Sequence, residues 1–250
     1  MRFKLNLELR RNSGNAMPID YQYFQSAVIY RILQNADCGY SQWLHENGFQ
    51  LQSGKQFKLF SYSPFKVEKR KVIGDRLFIL GGDIEWQISF LPEKSTQDFV
   101  QGVFLNPEPI QICDKISGVE LNVRSVELMP DPVFGDEMEF SLMSPLYIKN
   151  EKNEHITPYQ DGAIDILVNQ VRDKFKSFYG EDYDGEIKLE FTGEPRQKLV
   201  TIKRGTPMQS SIKCFSGLCF KLTASPIIQN LVFNTGIGNL TSMGFGCVNF

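Results

Sequence analysis

The chain has few of the residues that metal-dependent and disulfide-stabilised proteins rely on. It contains two histidines, His45 and His155, and the second lies in the polar run KNEHITP, which is typical of an ordinary surface residue. Its five cysteines are an odd number without a CxxC pair, so neither a disulfide framework nor a four-thiolate zinc site is supported. Metal catalysis would need a cluster of carboxylate, His or Cys ligands. We therefore expect no metal and no other cofactor.

Long apolar runs and an excess of basic residues are missing as well. No stretch approaches the roughly 20 apolar residues of a membrane-spanning helix, and the first residues, MRFKLNLELRR, lack the apolar core of a signal peptide. We therefore expect a cytoplasmic protein. The 27 basic residues are balanced by 29 acidic ones, which gives a formal net charge of −2. Nucleic-acid binders usually carry a positive field, so any nucleic-acid site here must be local.

The pattern of apolar residues in the first half predicts alternating strands and helices. Residues 2–10 alternate at period two and predict a strand, with Phe3, Leu5, Leu7 and Leu9 on one face. Pro18 and Asp20 suit the start of a helix, which Tyr21, Phe24, Val28 and Ile32 continue at helical spacing. The further predicted elements are a short helix at 40–46, strands at 57–65, 76–80 and 84–91, a helix at 93–104 and a hairpin at 110–128. Gly81, Gly82 and Asp83 are expected to form the tight turn between the strands 76–80 and 84–91.

The second half repeats this order after PDPVFGDE, a run rich in proline, glycine and acidic residues that predicts a linker. The predicted elements are strands at 140–148, 186–192, 199–203, 212–222 and 247–250, with helices at 159–179 and 225–233. Both halves are close to the βαββαβ order of a ferredoxin-like (RRM-like) domain. We therefore predict an α+β fold of two tandem ferredoxin-like domains, residues 1–129 and residues 137–250. The duplication rests on element order, because no residue-level repeat is visible.

Near its C-terminal end the chain carries four glycines in a GxG(x)5GFG pattern. They are Gly236, Gly238, Gly244 and Gly246, between a predicted helix and a predicted strand. Glycine permits positive φ and close approach of the backbone, so amide groups can point at a phosphate. A flexible loop is the alternative interpretation. A lone GxG motif would be weak evidence for a function, whereas the full pattern at the end of a domain is a specific signal.

This ending and four further motifs resemble the RAMP superfamily and, within it, the CRISPR repeat endoribonucleases of Cas family six. The further motifs are LHENGF at 44–49, FKLFSYSPF at 57–65, Ser144-Pro145-Leu146, and VTIKRG at 200–205. The resemblance covers essentially the whole chain. It implies a tandem ferredoxin-like fold that binds CRISPR repeat RNA and cleaves it without a metal. Association with other Cas proteins of an interference complex, and a homodimer, are left open.

Members of that family resembling this chain use a Tyr/His/Lys triad, and the matching positions are Tyr30, His45 and Lys58. Helical spacing puts Tyr30 about 150° from the apolar stripe of its helix and His45 about 140° to 150° from the apolar face of the next one. Both are therefore expected outside the core. Lys58 is expected to share a strand face with Phe60 and Tyr62, where a packed lysine competes with a catalytic one.

The implied reaction is attack of the ribose 2′-hydroxyl on the adjacent phosphate, with a 2′,3′-cyclic phosphate and a 5′-hydroxyl as products. An imidazole can move protons near neutral pH, and a lysine can neutralise the phosphorane. Which of His45 and Tyr30 is the base stays open. The predicted RNA contacts are the four glycines and parts of two basic clusters, namely Lys69 and Arg70 from the first (with Lys66 and Lys71), and Arg196, Lys198, Lys203 and Arg204 from the second.

Two other functions compete with this prediction. A RAMP protein that binds CRISPR RNA as a non-cleaving structural subunit would keep the glycine-rich ending but would not need Tyr30, His45 or Lys58. A scaffold unrelated to RNA fits the acidic net charge and leaves the motifs unexplained. The residues after GxG, Asn239-Leu240-Thr241, are uncharged where many family members are basic or strongly polar. Recognition of an RNA hairpin or of an unpaired strand is also undecided by the sequence.

Overall fold

A computed structural model describes residues 1–105, 108–204 and 206–250, so Gly205 of the VTIKRG motif lies outside the described residues. The N-terminal half contains β1 (Arg2–Leu9), β2 (Ala16–Pro18), α1 (Gln22–Ala36), α2 (Cys38–Glu46), β3 (Phe49–Gln50), β4 (Gln56–Phe57), β5 (Phe60–Tyr62), β6 (Lys66–Ile73), β7 (Arg76–Phe90), α3 (Glu93–Leu105), β8 (Ile110–Cys113) and β9 (Gly118–Met129). The C-terminal half contains β10 (Glu137–Leu142), α4 (Ala163–Tyr179), β11 (Lys188–Thr192), β12 (Arg196–Ile202), β13 (Ser210–Ser216), β14 (Cys219–Thr223), α5 (Pro226–Thr235), a 3₁₀ turn (Thr241–Met243) and β15 (Val248–Asn249).

The N-terminal half is built on one antiparallel sheet in which β1 lies between β7 and β9. β5 and β6 pair with β7, and β8 pairs with β9. Phe3, Leu5 and Leu7 of β1 are buried in one core with Ile29 of α1 and Phe99 of α3. The predicted face of β1 is thus confirmed for these three residues. Burying every second side chain fixes the register of a strand that is covered on one face.

Gly81 and Gly82 do not form the predicted tight turn. β7 continues through both of them from Arg76 to Phe90. They have φ angles of 129° and 80°, and the register against β6 shifts on both sides of Lys69. The glycines therefore form bulges within one long strand, a role for which Gly is as well suited as it is for a turn. The chain reverses at Gly74 and Asp75, between β6 and β7.

The C-terminal half has a second antiparallel sheet, in the order β11, β14, β10, β15. The predicted strand at 212–222 is wrong, because the chain breaks at Gly217, which has φ 78°. β13 ends before this glycine and pairs with β12 as a separate hairpin, whereas β14 follows it and enters the sheet. α4 begins after Gly162, at φ 80°, later than predicted. β10 ends at Leu142, shortly before Pro145, which has no N–H to donate to a ladder.

The two halves are joined through Arg2, which is 1% exposed. Its Nη2 donates to the carbonyl oxygens of Phe233 at 2.7 Å and Val248 at 2.8 Å. The guanidinium also lies 3.7 Å from the centroid of the Phe233 ring. Hydrogen bonds from a buried charge are strong because water does not compete for them. No helix among the described residues is both long enough and apolar enough to cross a membrane.

Candidate active site

Tyr30 and His45 lie side by side on successive helices, α1 and α2. The turn between the helices is set by Asp37, whose carboxylate accepts a hydrogen bond from the amide of Tyr40 at 2.8 Å and so caps α2. Ser41 then donates from its hydroxyl to the carbonyl of Tyr30 at 2.9 Å. The rings of Tyr30 and His45 meet edge to face, with centroids 4.9 Å apart.

The two rings differ in exposure. His45 is exposed, as predicted. Tyr30 is half-buried and packs against the core, with its ring centroid 5.8 Å from that of Phe60, so its predicted place outside the core is wrong. The reason is that α2 packs over the side of α1 that the helical pattern leaves polar. Burial raises the pKa of Tyr30, with a smaller contribution from Tyr40, so the phenol keeps its proton at neutral pH.

Lys58 reaches the same place from the segment after β4. Its Nζ donates to the carbonyl oxygen of His45 at 2.8 Å, and partial burial lowers its pKa. The predicted strand face shared with Phe60 is wrong, because Leu59 has φ 53° and separates β4 from β5. Gly48 makes room for the lysine, since a Cβ at that position would lie 3.3 Å from Nζ and only 2.5 Å from the carbonyl oxygen of Phe57.

The fold thus assembles a phenol, an imidazole and an amine from three separate segments. His45 is joined to the other two, to Tyr30 through ring contact and to Lys58 through its own carbonyl. Such a set can move protons and neutralise negative charge at a phosphate. Within residues 1–105, 108–204 and 206–250, no three His, Cys, Asp or Glu side chains are grouped so as to hold a metal ion.

The four glycines of the C-terminal ending are all buried. Each has a positive φ, and an added Cβ would meet backbone or side-chain atoms in every case. At Gly246 the Cβ would lie 1.8 Å from the carbonyl oxygen of Ile237, and at Gly238 it would lie 2.6 Å from that of Tyr147. Close backbone packing therefore accounts for glycine at these positions. Their predicted contact with phosphate stays a prediction.

The glycine-rich ending packs against the elements next to the catalytic candidates. Gly244 lies against Gln22 of α1 and Tyr62 of β5, and the hydroxyl of Ser26 donates to the carbonyl of Ser242 at 2.8 Å. α1 carries Tyr30, and β5 begins two residues after Lys58. The C-terminal ending and the N-terminal candidates are distant in sequence, yet they form one structural unit.

A buried lysine behind this ending is not among the predicted residues. Lys174 of α4 is 4% exposed, and its Nζ lies within hydrogen-bond distance of the carbonyl oxygens of Gly236, at 2.8 Å, and Thr235, at 3.3 Å, and of the Thr235 hydroxyl, at 3.4 Å. Burial lowers the pKa of Lys174 to about 7. The signal in the sequence is its helical phase with Leu167 and Val171, which would put a lysine on the apolar stripe.

The second basic cluster contacts the turn between β6 and β7 through Arg204, which follows β12. Arg204 forms ion pairs with Asp20 at 2.7 Å and with Asp75 of that turn at 3.2 Å. Its charge is therefore already engaged within the protein. Lys203 lies over the ring of Tyr23 at 5.9 Å. The exposed members of the predicted set, besides Arg204, are Lys69, Arg70, Arg196 and Lys198.

Comparison with known proteins gives matches over nearly the whole chain. The family model described as CRISPR-associated protein Cas6, N-terminal, matches residues 16–127, and the one described as CRISPR associated protein Cas6, C-terminal, matches residues 129–250. The chain is similar to the CRISPR-associated endoribonuclease Cas6 1 of Methanocaldococcus jannaschii, with 24% identity over 256 aligned positions that cover 98% of this chain and 91% of the relative.

Solved structures with the same fold extend over the full chain. One, described as CRISPR associated protein Cas6, is 23% identical with a TM-score of 0.76 and covers 100% of this chain and 98% of its own. Another, described as an RAMP protein binding different RNA substrates, is 21% identical with a TM-score of 0.79 and covers 100% of this chain and 98% of its own. These likenesses establish the mixed helix and strand fold.

Proposed function

The chain belongs to the Cas6 family of CRISPR-associated proteins, whose two models together match residues 16–127 and 129–250, and we propose that it cleaves CRISPR repeat RNA to produce guide RNAs. The observation that carries this proposal is the convergence of Tyr30, His45 and Lys58 around the exposed imidazole. A structural RNA-binding subunit would have no need for that convergence. The activity is that of an endoribonuclease that works without a metal.

We also infer that residues 1–129 and residues 137–250 are two ferredoxin-like domains. In the first sheet, β1 lies between β9 and β7, and β5 and β6 follow beyond β7. In the second sheet, β10 lies between β15 and β14, and β11 follows beyond β14. In the βαββαβ order, β1 and β10 are the first strands, β7 and β14 the third and β9 and β15 the last. Each half therefore places its first strand between its last and its third strand, and its second strand lies beyond the third. Each half also has its own buried apolar cluster, which supports two domains.

In the proposed reaction the ribose 2′-oxygen bonds to phosphorus while the bond from phosphorus to the next 5′-oxygen breaks. His45 takes the proton of the 2′-hydroxyl, because it presents an exposed imidazole, the side chain that most often acts in general acid–base catalysis. Tyr30 keeps its proton and gives it to the leaving oxygen. Lys58 stabilises the negative charge of the phosphorane. The products are a 2′,3′-cyclic phosphate and a 5′-hydroxyl.

We propose that phosphate contacts on the two basic hairpins hold the RNA. Lys69 and Arg70 on β6 and Arg196 and Lys198 on β12 are exposed and can contact phosphates. Arg204 would exchange its aspartate partners for a phosphate, and Lys203 would act beside it. Gly236, Gly238, Gly244 and Gly246 support the site through backbone packing, and their contact with phosphate is part of the proposal.

The experiment is cleavage of repeat RNA in excess EDTA by the wild-type protein, by His45→Ala and by His155→Ala. The last variant removes the chain's other histidine, which is also exposed, and is the matched control. A substrate with a 2′-deoxy sugar at the cut site is tested in parallel. The wild type and His155→Ala should cleave the all-ribose RNA and leave the 2′-deoxy substrate intact. His45→Ala should cleave neither substrate.

Other outcomes would contradict parts of the proposal. Cleavage that needs Mg²⁺, or that survives the 2′-deoxy substitution, would rule out the proposed chemistry. Repeat RNA that is bound but left intact would identify a non-cleaving RAMP subunit. Failure to bind any repeat RNA would point to a protein scaffold.

A further inference from the structure

A row of aromatic side chains runs from α2 to α4 beside the candidate active site. We name Tyr40, Trp43, Phe49, Phe178 and Tyr179 the aromatic row. Successive ring centroids are 5.5, 5.3, 5.5 and 4.9 Å apart. Phe49 and Phe178 join the two halves of the chain, and Trp43 remains 38% exposed and Tyr179 remains 37% exposed. An exposed indole inside an otherwise packed row is available to a ligand.

The indole of Trp43 is held in a fixed orientation. Tyr40 stacks on it with an interplanar angle of 28°, and Phe49 meets it edge to face at 81°. Tyr40 is itself anchored, because its hydroxyl is hydrogen-bonded to that of Ser95 and the ammonium group of Lys94 lies 4.9 Å from its ring centroid. A ring that is already immobilised loses little conformational entropy when a second planar group stacks on it.

The aromatic row adjoins the catalytic candidates at Gly48. The carbonyl of Trp43 accepts a hydrogen bond from the Gly48 amide at 2.9 Å, and Phe49 follows directly in the chain. Gly48 also lies against the side chain of Lys58. His45, whose carbonyl binds Lys58, is two residues after Trp43 in the same helix. The backbone of Trp43 is thus linked to the proposed cleavage site through Gly48.

The charges around the row favour an apolar, planar ligand group over a phosphate. Its neighbouring lysines are paired with aspartates, in the ion pairs Lys55–Asp173 at 2.7 Å, Lys94–Asp37 at 2.8 Å and Lys176–Asp182 at 2.8 Å. The charges of these three lysines are therefore already engaged by carboxylates and are not free to attract a phosphate. Unpaired bases, in contrast, stack on aromatic rings regardless of the local charge.

We propose that Trp43 is the stacking platform for one unpaired base of the repeat RNA next to the cleavage site. The proposal rests on the proposed function and adds to it that this part of the repeat is bound as an unpaired strand. The platform selects for an unstacked base and binds that part of the strand at the C-terminal end of α2, the end that also carries His45. Every base has a π face, so the platform itself selects for strand state and tolerates different bases.

Intrinsic fluorescence gives a first test, because the chain has two tryptophans and the other, Trp86, is fully buried. Titration of the wild-type protein with single-stranded repeat RNA should quench the emission of Trp43 and shield it from acrylamide. Trp43→Phe should lose this response while it still binds the RNA. Saturation with RNA that leaves the emission and the acrylamide quenching unchanged would overturn the proposal.

The second test pairs Trp43→Ala with repeat RNAs that carry one abasic nucleotide at each position around the cut site. Affinity for intact RNA should fall about 5- to 150-fold, the range for losing one base–aromatic stack. One abasic position should weaken wild-type binding to a similar extent and have no further effect on Trp43→Ala. Phe104→Ala is the matched control, since it removes an aromatic ring that is 70% exposed outside the row.

The dependence on salt separates stacking from a change in phosphate contacts. Loss of a stack should weaken binding by the same factor at every salt concentration, because no counter-ion is involved. The proposal would be overturned if every abasic position weakened the binding of Trp43→Ala further. It would also be overturned if Trp43→Ala changed the dependence of the affinity on salt concentration. Failure of the proposed function would be distinct, because the wild-type protein would then not bind or not cleave intact repeat RNA in the same assays.

Discussion

Removal of the buried Lys174 should change how the stability of the protein depends on pH. The lysine is 4% exposed, its partners are the oxygens of Thr235 and Gly236, and no carboxylate pairs with it within the part of the chain that the structure describes. Desolvation lowers its pKa from 10.5 to about 7. Folding therefore disfavours the ammonium form, and the pH dependence of unfolding should report this.

The direction follows from counting protons. Below pH 7 the lysine is protonated in both the folded and the unfolded state, so the desolvation cost of the buried ammonium group is present in full and does not change with pH. Between about pH 7 and 10.5, the unfolded chain binds one more proton than the folded one, and the free energy of unfolding rises with pH by up to about 1.4 kcal/mol per pH unit. Over the whole interval this amounts to an upper limit of order 5 kcal/mol, because the three oxygen acceptors offset part of the desolvation.

The assay is urea unfolding of the wild type and Lys174→Met at several pH values between 7 and 10. As pH rises, the free energy of unfolding of the wild type should increase relative to that of Lys174→Met, since methionine has no proton to lose. Lys176→Met removes an exposed lysine from the same helix and is the matched control. Parallel pH profiles for the wild type and Lys174→Met would refute a desolvated lysine at this position.

Two further predictions concern the glycine-rich ending and the amine. Gly246→Ala should destabilise the protein more than Gly54→Ala in urea unfolding. Both glycines have a positive φ, but a Cβ at Gly246 would lie 1.8 Å from the carbonyl oxygen of Ile237, whereas a Cβ at Gly54 would meet open space. Equal losses of stability would contradict the packing role of Gly246. Lys58→Met should lower kcat for repeat RNA by roughly 100-fold, and Lys55→Met, which removes an exposed lysine nearby, should not; equal losses would contradict charge stabilisation by Lys58.

The predictable parts of the fold are those in which one periodicity dominates. The alternation of Phe3, Leu5 and Leu7 predicted β1, and the predicted helix at 159–179 contains all of α4. Glycine was one source of error. The same residue makes a turn, a bulge or a strand break, and the choice among these depends on which strand lies alongside. Gly81 and Gly217 therefore could not be assigned before the pairing of β6 and β13 was known.

The candidate site was predictable as a set of residues but not as an arrangement. Tyr30, His45 and Lys58 were expected through family resemblance, and the fold brings them together. The burial of Tyr30 could not be predicted, because the helical wheel of α1 contains no information on where α2 packs. Lys174 was overlooked for a related reason, since a lysine on an apolar stripe can also extend to solvent.

The central claim is that the ribose 2′-hydroxyl is the nucleophile, and the ends of the cleaved RNA report on it directly. Mass spectrometry of the fragments from one cleavage of repeat RNA in EDTA should find the upstream fragment lighter by one water than a linear 3′-phosphate. It should also find a 5′-hydroxyl on the downstream fragment. A 3′-hydroxyl upstream together with a 5′-phosphate downstream would contradict the mechanism.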